Sequence, residues 1–163
     1  RIVLSTFGLI SAGKGLETAI AALPAIVERH PNVLYIIAGQ THPDVARRDG
    51  ERYRLSLEEA ALDLGLEEHV EFDGRFLSVD EIADLLALTD VVVTPYRGLE
   101  QIASGALSSA IAASTCALWK CGCMWVSTRL SSISSPVIGR SNSNELVLSI
   151  FSKTSRFWRT FSR

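Results

Sequence analysis

A lysine between two glycines lies early in the chain, where its chemistry would suit an anion. Gly13-Lys14-Gly15 closes a glycine-punctuated loop, Gly8–Gly15, between a strand-like run and a helix-like run. Backbone N–H groups, the positive end of the helix dipole and the lysine ammonium together favour a phosphate group. A tight turn with an exposed lysine is the alternative interpretation.

The established phosphate-loop spacings do not describe this loop. Gly8 and Gly13-Lys14 have the spacing G-x-x-x-x-G-K, but Gly15 follows where that motif needs a serine or threonine. The spacing G-x-G-x-x-G is absent from the loop as well. A phosphate bound here would therefore depend on Lys14 and on backbone amides.

A second loop carries a carboxylate just before a helix-like segment. Glu100 is followed by Gln101, Ile102, Ala103 and Ser104, the first turn of that segment. The free amides of the last three residues favour a phosphate, and a carboxylate accepts hydrogen bonds from sugar hydroxyls. The alternative is that Glu100 only complements the positive helix end, which is worth about 0.3–1 kcal/mol.

Strand-like and helix-like segments alternate over the first 115 residues and predict the framework for these loops. The predicted strands are Ile2–Phe7, Val33–Ala38, Val70–Phe72 and Asp90–Thr94. The predicted helices are Leu16–Arg29, a second around Tyr53–Leu64, a third from Ser78 to about Leu88, and Gln101–Ala113. This alternation predicts an α/β fold, a Rossmann-like parallel sheet with helices on both faces.

Three local features refine these elements. Pro24 lies inside the first helix and is expected to kink or break it, and Pro95 is expected to end the fourth strand. Ser78 and Glu81 have the S-x-x-E spacing of a capping box. The residues Gly39–Gly50 are predicted to form a polar connection.

The predicted topology brings the two loops to one edge of the sheet. Ligands of parallel sheets lie beyond the carboxyl ends of the strands, so Lys14 and Glu100 are expected to face a shared crevice. Gly39, His42 and Arg75 follow strands at the same edge. His42 is expected either to touch the ligand or to be a solvated loop residue. Arg75 is expected either to help with a base or phosphate or to pair with surface acids.

Charge and serine content divide the chain in two. The first 103 residues hold nine Lys or Arg and 17 Asp or Glu, whereas the last 60 hold seven and one. Four serines fall in the first part and fifteen in the second. We therefore divide the chain into an α/β domain, residues 1–115, and an atypical Ser-rich basic tail, residues 116–163. The tail is interpreted either as a frame-shifted or misspliced sequence, which we prefer, or as a poorly ordered basic tail.

Composition also excludes several classes. No apolar run approaches the roughly 20 residues that span a bilayer, and the start shows neither a signal peptide nor a Met, which suggests a fragment. The three cysteines, Cys116, Cys121 and Cys123, do not form a disulfide framework, so a cytoplasmic setting is expected. They are a weak metal signal. We expect no metal, no cofactor, no transmembrane segment and no nucleic-acid partner.

These motifs together resemble a known family. The order and spacing of Phe7–Gly15, Ile36–Gly39, Val70–Phe76, Asp90–Tyr96 and Glu100 are similar to the C-terminal domain of retaining, family-4-type (group 1) glycosyltransferases of GT-B fold. The resemblance covers about residues 1–115. It implies a domain that binds a nucleoside diphosphate sugar and belongs to a hexosyl- or mannosyltransferase-like enzyme. The N-terminal acceptor-binding domain of that enzyme is expected to be missing from this fragment.

The resemblance also implies roles for single residues. Lys14 matches the family's lysine on the donor diphosphate, with Gly13 beside it, while Leu9 and Gly8 stand where the family has an arginine. Glu100 matches the first acid of an E-x7-E motif, which contacts the donor sugar. The second acid, which holds the ribose, is replaced by Ser108.

Two functions follow as expectations. The first is a donor-binding domain of a glycosyltransferase, inactive alone, in which Lys14 and the amides after Glu100 stabilise the leaving diphosphate without an obligatory metal. The second is a non-catalytic α/β module that has lost donor binding, because the family arginine and the second acid are both missing.

Overall fold

The computed structural model describes residues 1–96 with their side chains, together with the backbone of residues 125–129 and 147–152. The described residues form a six-stranded sheet with helices packed against it. The strands in chain order are β1 (Ile2–Phe7), β2 (Val33–Ala38), β3 (Val70–Asp73), β4 (Val91–Tyr96), β5 (Trp125–Arg129) and β6 (Val147–Ser152).

The first four strands are parallel and have the spatial order β3-β2-β1-β4. The register between β1 and β2 is continuous, from Ile2 opposite Val33 to Phe7 opposite Ala38. Both strands are mostly apolar, with Ser5 and Thr6 as the polar residues of β1, because both faces of a parallel sheet are covered. The predicted Rossmann-like α/β fold is confirmed.

Four helices connect these strands. They are α1 (Leu16–Arg29), α2 (Pro43–Asp49), α3 (Arg52–Asp63) and α4 (Val79–Leu88). The capping box predicted for α4 is present, since Ser78 accepts a hydrogen bond from the amide of Glu81 and the Glu81 side chain accepts one from the amide of Ser78. The amphipathic pattern of α1 likewise places its apolar residues in the core.

Two apolar cores lie on opposite faces of the sheet. The larger core packs α1 and α3 against the sheet through side chains that include Leu16, Ile20 and Leu57. The smaller one packs α4 against the other face through Leu86 and Phe7. Helices therefore cover both faces, as predicted from the alternating pattern.

Buried hydroxyl groups form hydrogen bonds between neighbouring segments of this sheet. The hydroxyl of Thr6 in β1 lies 2.7 Å from the hydroxyl of Tyr35 in β2 and donates to the carbonyl of Val93 in β4. On the β4 side, Thr89 donates to Ser5 over 2.9 Å. Because these polar groups are paired, their burial does not carry the penalty of an unsatisfied donor.

Two expectations about the helices and strands were wrong, and a third is decided in part. The helix α1 is continuous through Pro24, so the proline does not break it, and the expected kink stays a prediction. Part of the connection Gly39–Gly50 is helical, because His42 caps α2 and Pro43 occupies its first turn, where the missing N–H of a proline is not needed. Pro95 does not end the fourth strand, which continues to Tyr96.

The strands β5 and β6 lie in the region that we interpreted as an atypical tail. β6 pairs antiparallel with β4, from Val91 opposite Ser152 to Tyr96 opposite Val147, and β5 pairs antiparallel with β6. The antiparallel pair therefore covers the edge of β4 that faces away from β1. The predicted fourth helix, Gln101–Ala113, lies outside the described residues.

Candidate functional site

The strand order reverses between β1 and β4. From β1 the chain moves through β2 to β3 on one side, and β4 then lies on the other side of β1. Where the strand order reverses in this way, the connections leave in opposite directions, and ligands of open α/β sheets bind there. Gly8–Gly15 leaves from the end of β1, and residues 97 onward leave from the end of β4.

Lys14 lies at this reversal point and is buried. It ends a short 3-10 turn, Ala12–Lys14, and only 8% of its surface is exposed. Its Nζ donates to the carbonyl of Phe7, the last residue of β1, over 3.0 Å. The same Nζ lies 5.7 Å from the ring centroid of Tyr96, the last residue of β4. The alternative of an exposed lysine on a tight turn is therefore wrong, whereas Gly13 is exposed.

Burial lowers the pKa of Lys14 from 10.5 to about 8. Desolvation disfavours the charged form of an amine, so the ammonium has lost hydration. At neutral pH the group is still largely protonated, and it would gain more from a negatively charged partner than a solvated lysine would. The chemistry of this position suits an anion.

The loops after β1 and β2 are joined along their backbones. The amide of Ile10 donates to the carbonyl of Gln40 over 2.8 Å, and the amide of His42 donates to the carbonyl of Ile10 over 2.8 Å. Gly39 has φ +141°, and a Cβ on it would lie 2.4 Å from the carbonyl oxygen of Gly8. Gly39 is therefore required for the close approach of the two loops.

A polar cleft of about 400 Å³ opens beside this joint, between the loops after β2 and β3. Thr41 donates to the carboxylate of Glu51 over 2.6 Å, and the Arg54 Nε lies 3.5 Å from carboxylate oxygens of both Glu51 and Glu58. The residues that line the cleft are Gln40, Thr41, Pro43, Ala46, Glu51, Arg54 and Gly74.

The sequence analysis missed Glu51 and Arg54. Their i,i+3 spacing at the start of α3 is common on solvated helices and predicts no ligand. The available sequence signal for this cleft was Gly74, a glycine directly after β3. In the structure, the Arg54 guanidinium occupies the space that a side chain at position 74 would need.

His42 has a local structural role at this edge. Its Nδ1 accepts a hydrogen bond from the amide of Asp44 over 3.2 Å, which caps α2. The side chain is 40% exposed, and its Nδ1 lies 3.8 Å from the Asp44 carboxylate. His42 is therefore partly exposed, and within residues 1–96 no described contact joins its side chain to Lys14.

Arg75 pairs with acids at the surface. It donates to both carboxylate oxygens of Asp73, over 3.0 and 2.7 Å, and to Glu81 over 3.2 Å. These hydrogen bonds hold the pKa of Asp73 below its usual value. The arginine therefore links the end of β3 to the start of α4, as the surface-acid alternative predicted.

Part of the predicted site lies outside the described residues. Lys14, Gly13 and Gly39 lie at the ends of the two central strands, and the described part of β4 ends four positions before Glu100. The other predicted site residues that cannot be placed are Glu100, Gln101, Ile102, Ala103, Ser104 and Ser108.

The described residues show neither a metal-binding cluster nor a membrane-spanning helix. Within residues 1–96 and the two short strands, no three His, Cys, Asp or Glu side chains are grouped to hold a metal ion. Cys116, Cys121 and Cys123 lie outside those residues. None of the described helices has the length and apolar character needed to cross a membrane.

Comparison with known proteins identifies the family. Residues 1–118 match the family "Glycosyl transferases group 1". The C-terminal domain of the group 1 family protein LpcC from Francisella tularensis has a similar structure, with 21% identity, a TM-score of 0.56, and coverage of 68% of this chain and 53% of that one. At this identity the likeness concerns the fold alone. No curated protein sequence gives a significant match.

HepE (Alr3699) from Anabaena is similar in the crystal structures of two complexes. The complex with UDP and glucose is 26% identical with a TM-score of 0.50, over 60% of this chain and 24% of HepE. The complex with UDP is 25% identical with a TM-score of 0.55, over 68% of this chain and 27% of HepE. This chain therefore spans about half of the LpcC domain structure and about a quarter of HepE.

Proposed function

The chain belongs to the group 1 glycosyl transferases, and we propose that it is the donor-binding domain, which takes a nucleoside diphosphate sugar at the crevice beside Lys14. The observation that carries this proposal is the Lys14 ammonium, buried at the point where the strand order reverses. A buried cation at the carboxyl ends of parallel strands is a favourable place for a diphosphate.

In this proposal, the charge of the leaving diphosphate is met by Lys14 and by backbone amides. Gly13 is exposed beside Lys14 and leaves room for phosphate oxygens. We assign the amides of Ile102, Ala103 and Ser104 to the same phosphates, with Gln101 in the same predicted helical turn. Stabilising the leaving group in this way lowers the barrier to transfer of the sugar.

The sugar and the nucleoside are assigned to neighbouring loops. Glu100 accepts hydrogen bonds from hydroxyls of the sugar ring, and Ser108 takes the position of the ribose acid as a weaker partner. Gly39, His42 and Arg75 are each next in sequence to a residue that lines the polar cleft, whose volume of about 400 Å³ suits a nucleoside. The enzyme type that we propose is a retaining, family-4-type hexosyl- or mannosyltransferase of GT-B fold in a cytoplasmic setting.

We propose that the acceptor binds to a second domain, outside residues 1–163. The proposal draws on the coverage, because the chain spans only about a quarter of HepE. A glycosyl transfer needs donor and acceptor held in one geometry, so we expect no sugar transfer from these 163 residues alone. Transfer by this chain to any offered acceptor would contradict this part of the proposal.

Calorimetric titration with UDP, GDP and UDP-glucose tests donor binding. UDP is the first choice, since HepE was crystallised with it. We expect saturable binding that Lys14→Met abolishes. The matched control is Arg47→Met, which removes an exposed cation paired with Asp44 on α2.

The competing function is a non-catalytic module that has lost the donor. Leu9 and Gly8 stand where the family's arginine is expected, and Ser108 stands where the second acid is expected. Absence of heat with every nucleotide, from a chain that melts cooperatively, would favour this function and reject the first.

A further inference from the structure

A lysine that meets a phosphate must be both charged and held in place. The lysine side chain has four rotatable carbon–carbon bonds, and ordering it costs up to about 2 kcal/mol of conformational free energy. Burial adds a second cost, since it disfavours the ammonium and lowers the pKa of Lys14 to about 8. A contact that favours the ammonium would offset part of both costs before a ligand binds.

Two described contacts reach the Lys14 ammonium. The carbonyl of Phe7 accepts one of its three N–H groups over 3.0 Å. The ring of Tyr96 faces the same nitrogen, with the ring centroid 5.7 Å away. The contact with Phe7 is made by a backbone carbonyl, so it does not depend on the side chain at position 7. The contact with Tyr96 does depend on the side chain at position 96.

The Tyr96 ring is suited to this contact. It is 6% exposed and ends β4, the strand that pairs directly with β1, so its position is set by the sheet and not by a loop. The face of an aromatic ring attracts a cation within about 6 Å, more strongly where water is excluded. An apolar residue of the same size would fill the space but would not favour the charge.

We propose that Tyr96 is a positioning residue, whose ring face holds the Lys14 ammonium charged and aimed at the crevice. The part of this role that concerns a diphosphate rests on the proposed function. The role itself is not a contact with the donor, because Tyr96 acts through Lys14. It links the end of β4 to the phosphate-binding residue on the loop after β1.

The first test needs no variant. In the ligand-free 163-residue chain, NMR should show the ε-methylene protons of Lys14 shifted upfield by the ring current of Tyr96. Unshifted ε-methylene protons would overturn the proposal, whatever the chain binds.

The second test compares three variants at position 96. Tyr96→Leu and Tyr96→Met remove the ring face, so the pKa of Lys14 should fall by about half a unit to one unit and UDP should bind about threefold to tenfold more weakly. Tyr96→Phe keeps the ring face and should retain both properties. Two apolar variants are included so that a folding failure in one leaves the other to decide.

The pH profile separates positioning from mere packing. UDP binding to the unsubstituted chain should weaken as pH rises through about 8, and in Tyr96→Leu the decline should begin at lower pH. An unchanged pKa and unchanged UDP affinity in Tyr96→Leu and Tyr96→Met would reject the role, as would a loss in Tyr96→Phe equal to that in Tyr96→Leu. If the unsubstituted chain binds none of UDP, GDP and UDP-glucose, the proposed function fails, and the pKa comparison still decides whether the ring holds the ammonium.

Discussion

At the scale of single residues, the site is organised around a charge that the fold holds at a cost. Lys14 contributes an ammonium to a place where only 8% of the residue is exposed. A buried ammonium has already lost most of its hydration, so it loses less water on binding a phosphate than a surface lysine does. The desolvation cost therefore falls on the unliganded protein. Stability and ligand binding should therefore oppose each other at this position.

Replacing Lys14 by methionine should expose this opposition. Because the pKa of Lys14 is about 8 in the folded chain and 10.5 in its reference state, keeping the lysine charged at pH 7 costs the fold up to about 3 kcal/mol. Lys14→Met keeps a long apolar side chain and should raise the free energy of unfolding by about 1–3 kcal/mol at pH 7. Urea unfolding at pH 7 measures the difference.

The sign of the pH dependence provides the control. Between pH 8 and 10.5 the unfolded chain binds more protons at Lys14 than the folded chain does, so this residue makes the free energy of unfolding rise with pH. The advantage of Lys14→Met should therefore shrink across that window. A variant that is less stable than the unsubstituted chain at pH 7 would mean that the buried charge is compensated by groups other than Phe7 and Tyr96.

Gly39 allows a similar test of the joint between the loops. Gly39→Ala places a Cβ 2.4 Å from the carbonyl oxygen of Gly8, at φ +141°, so the backbone must move. We expect a loss of about 2–4 kcal/mol in thermal or urea unfolding. Gly65→Ala is the matched control, with φ +66° and nothing within 4 Å, and should cost about 1 kcal/mol. Equal losses would show that strain alone, and not the contact with Gly8, makes position 39 special.

The sequence predicted these residues unevenly. The glycines around Lys14 indicated an anion site, because lysine and glycine types suit that chemistry at the start of a helix. The contact between Lys14 and Tyr96 was not predictable, since Tyr96 is 82 positions away and belongs to another strand. Arg54 was missed for the same reason: its place over Gly74 is set by how α3 meets the sheet.

At the scale of elements, the segments with an apolar pattern were the predictable ones. The bounds of β1, α1 and β2 agree with the sequence analysis, because their apolar residues recur with strand or helix period. The short helix α2 has no buried residue and therefore no apolar pattern to recognise. Pro95 misled the prediction because the strand β4 accommodates a proline, fully buried, one position before its end.

The start of α4 gives an element-scale prediction. Ser78 caps the helix reciprocally with Glu81, so Ser78→Ala leaves the first-turn amide of Glu81 without its acceptor. We expect a loss of about 1 kcal/mol in the free energy of unfolding. Ser56→Ala is a suitable control, because Ser56 lies inside α3 and donates only to the carbonyl of Tyr53. A loss below that of the control would contradict a stabilising cap.

At the scale of the whole molecule, the sheet consists of a regular part and an added part. Four parallel strands carry the loops of the site, and the family match ends at residue 118. The antiparallel strands β5 and β6 come after that residue, from the Ser-rich basic region. The parallel part was predictable because βαβ units follow a regular alternation. The pairing of β6 with β4 was not, since the surrounding sequence lacks the alternation that predicted the other strands.

The outer edge of β4 gives the last prediction. β6 pairs with β4 over its full length, so a chain cut after residue 118 leaves a row of unpaired backbone N–H and C=O groups on a strand beside the site. We expect that shortened chain to dimerise or form larger oligomers as its concentration rises, measured by light scattering on a sizing column. A chain cut after residue 152 retains β5 and β6 and should behave like the full chain. If the chain that ends at 118 stays monomeric and melts cooperatively, then β6 is not needed to cover this edge, and residues 1–118 form the independent unit.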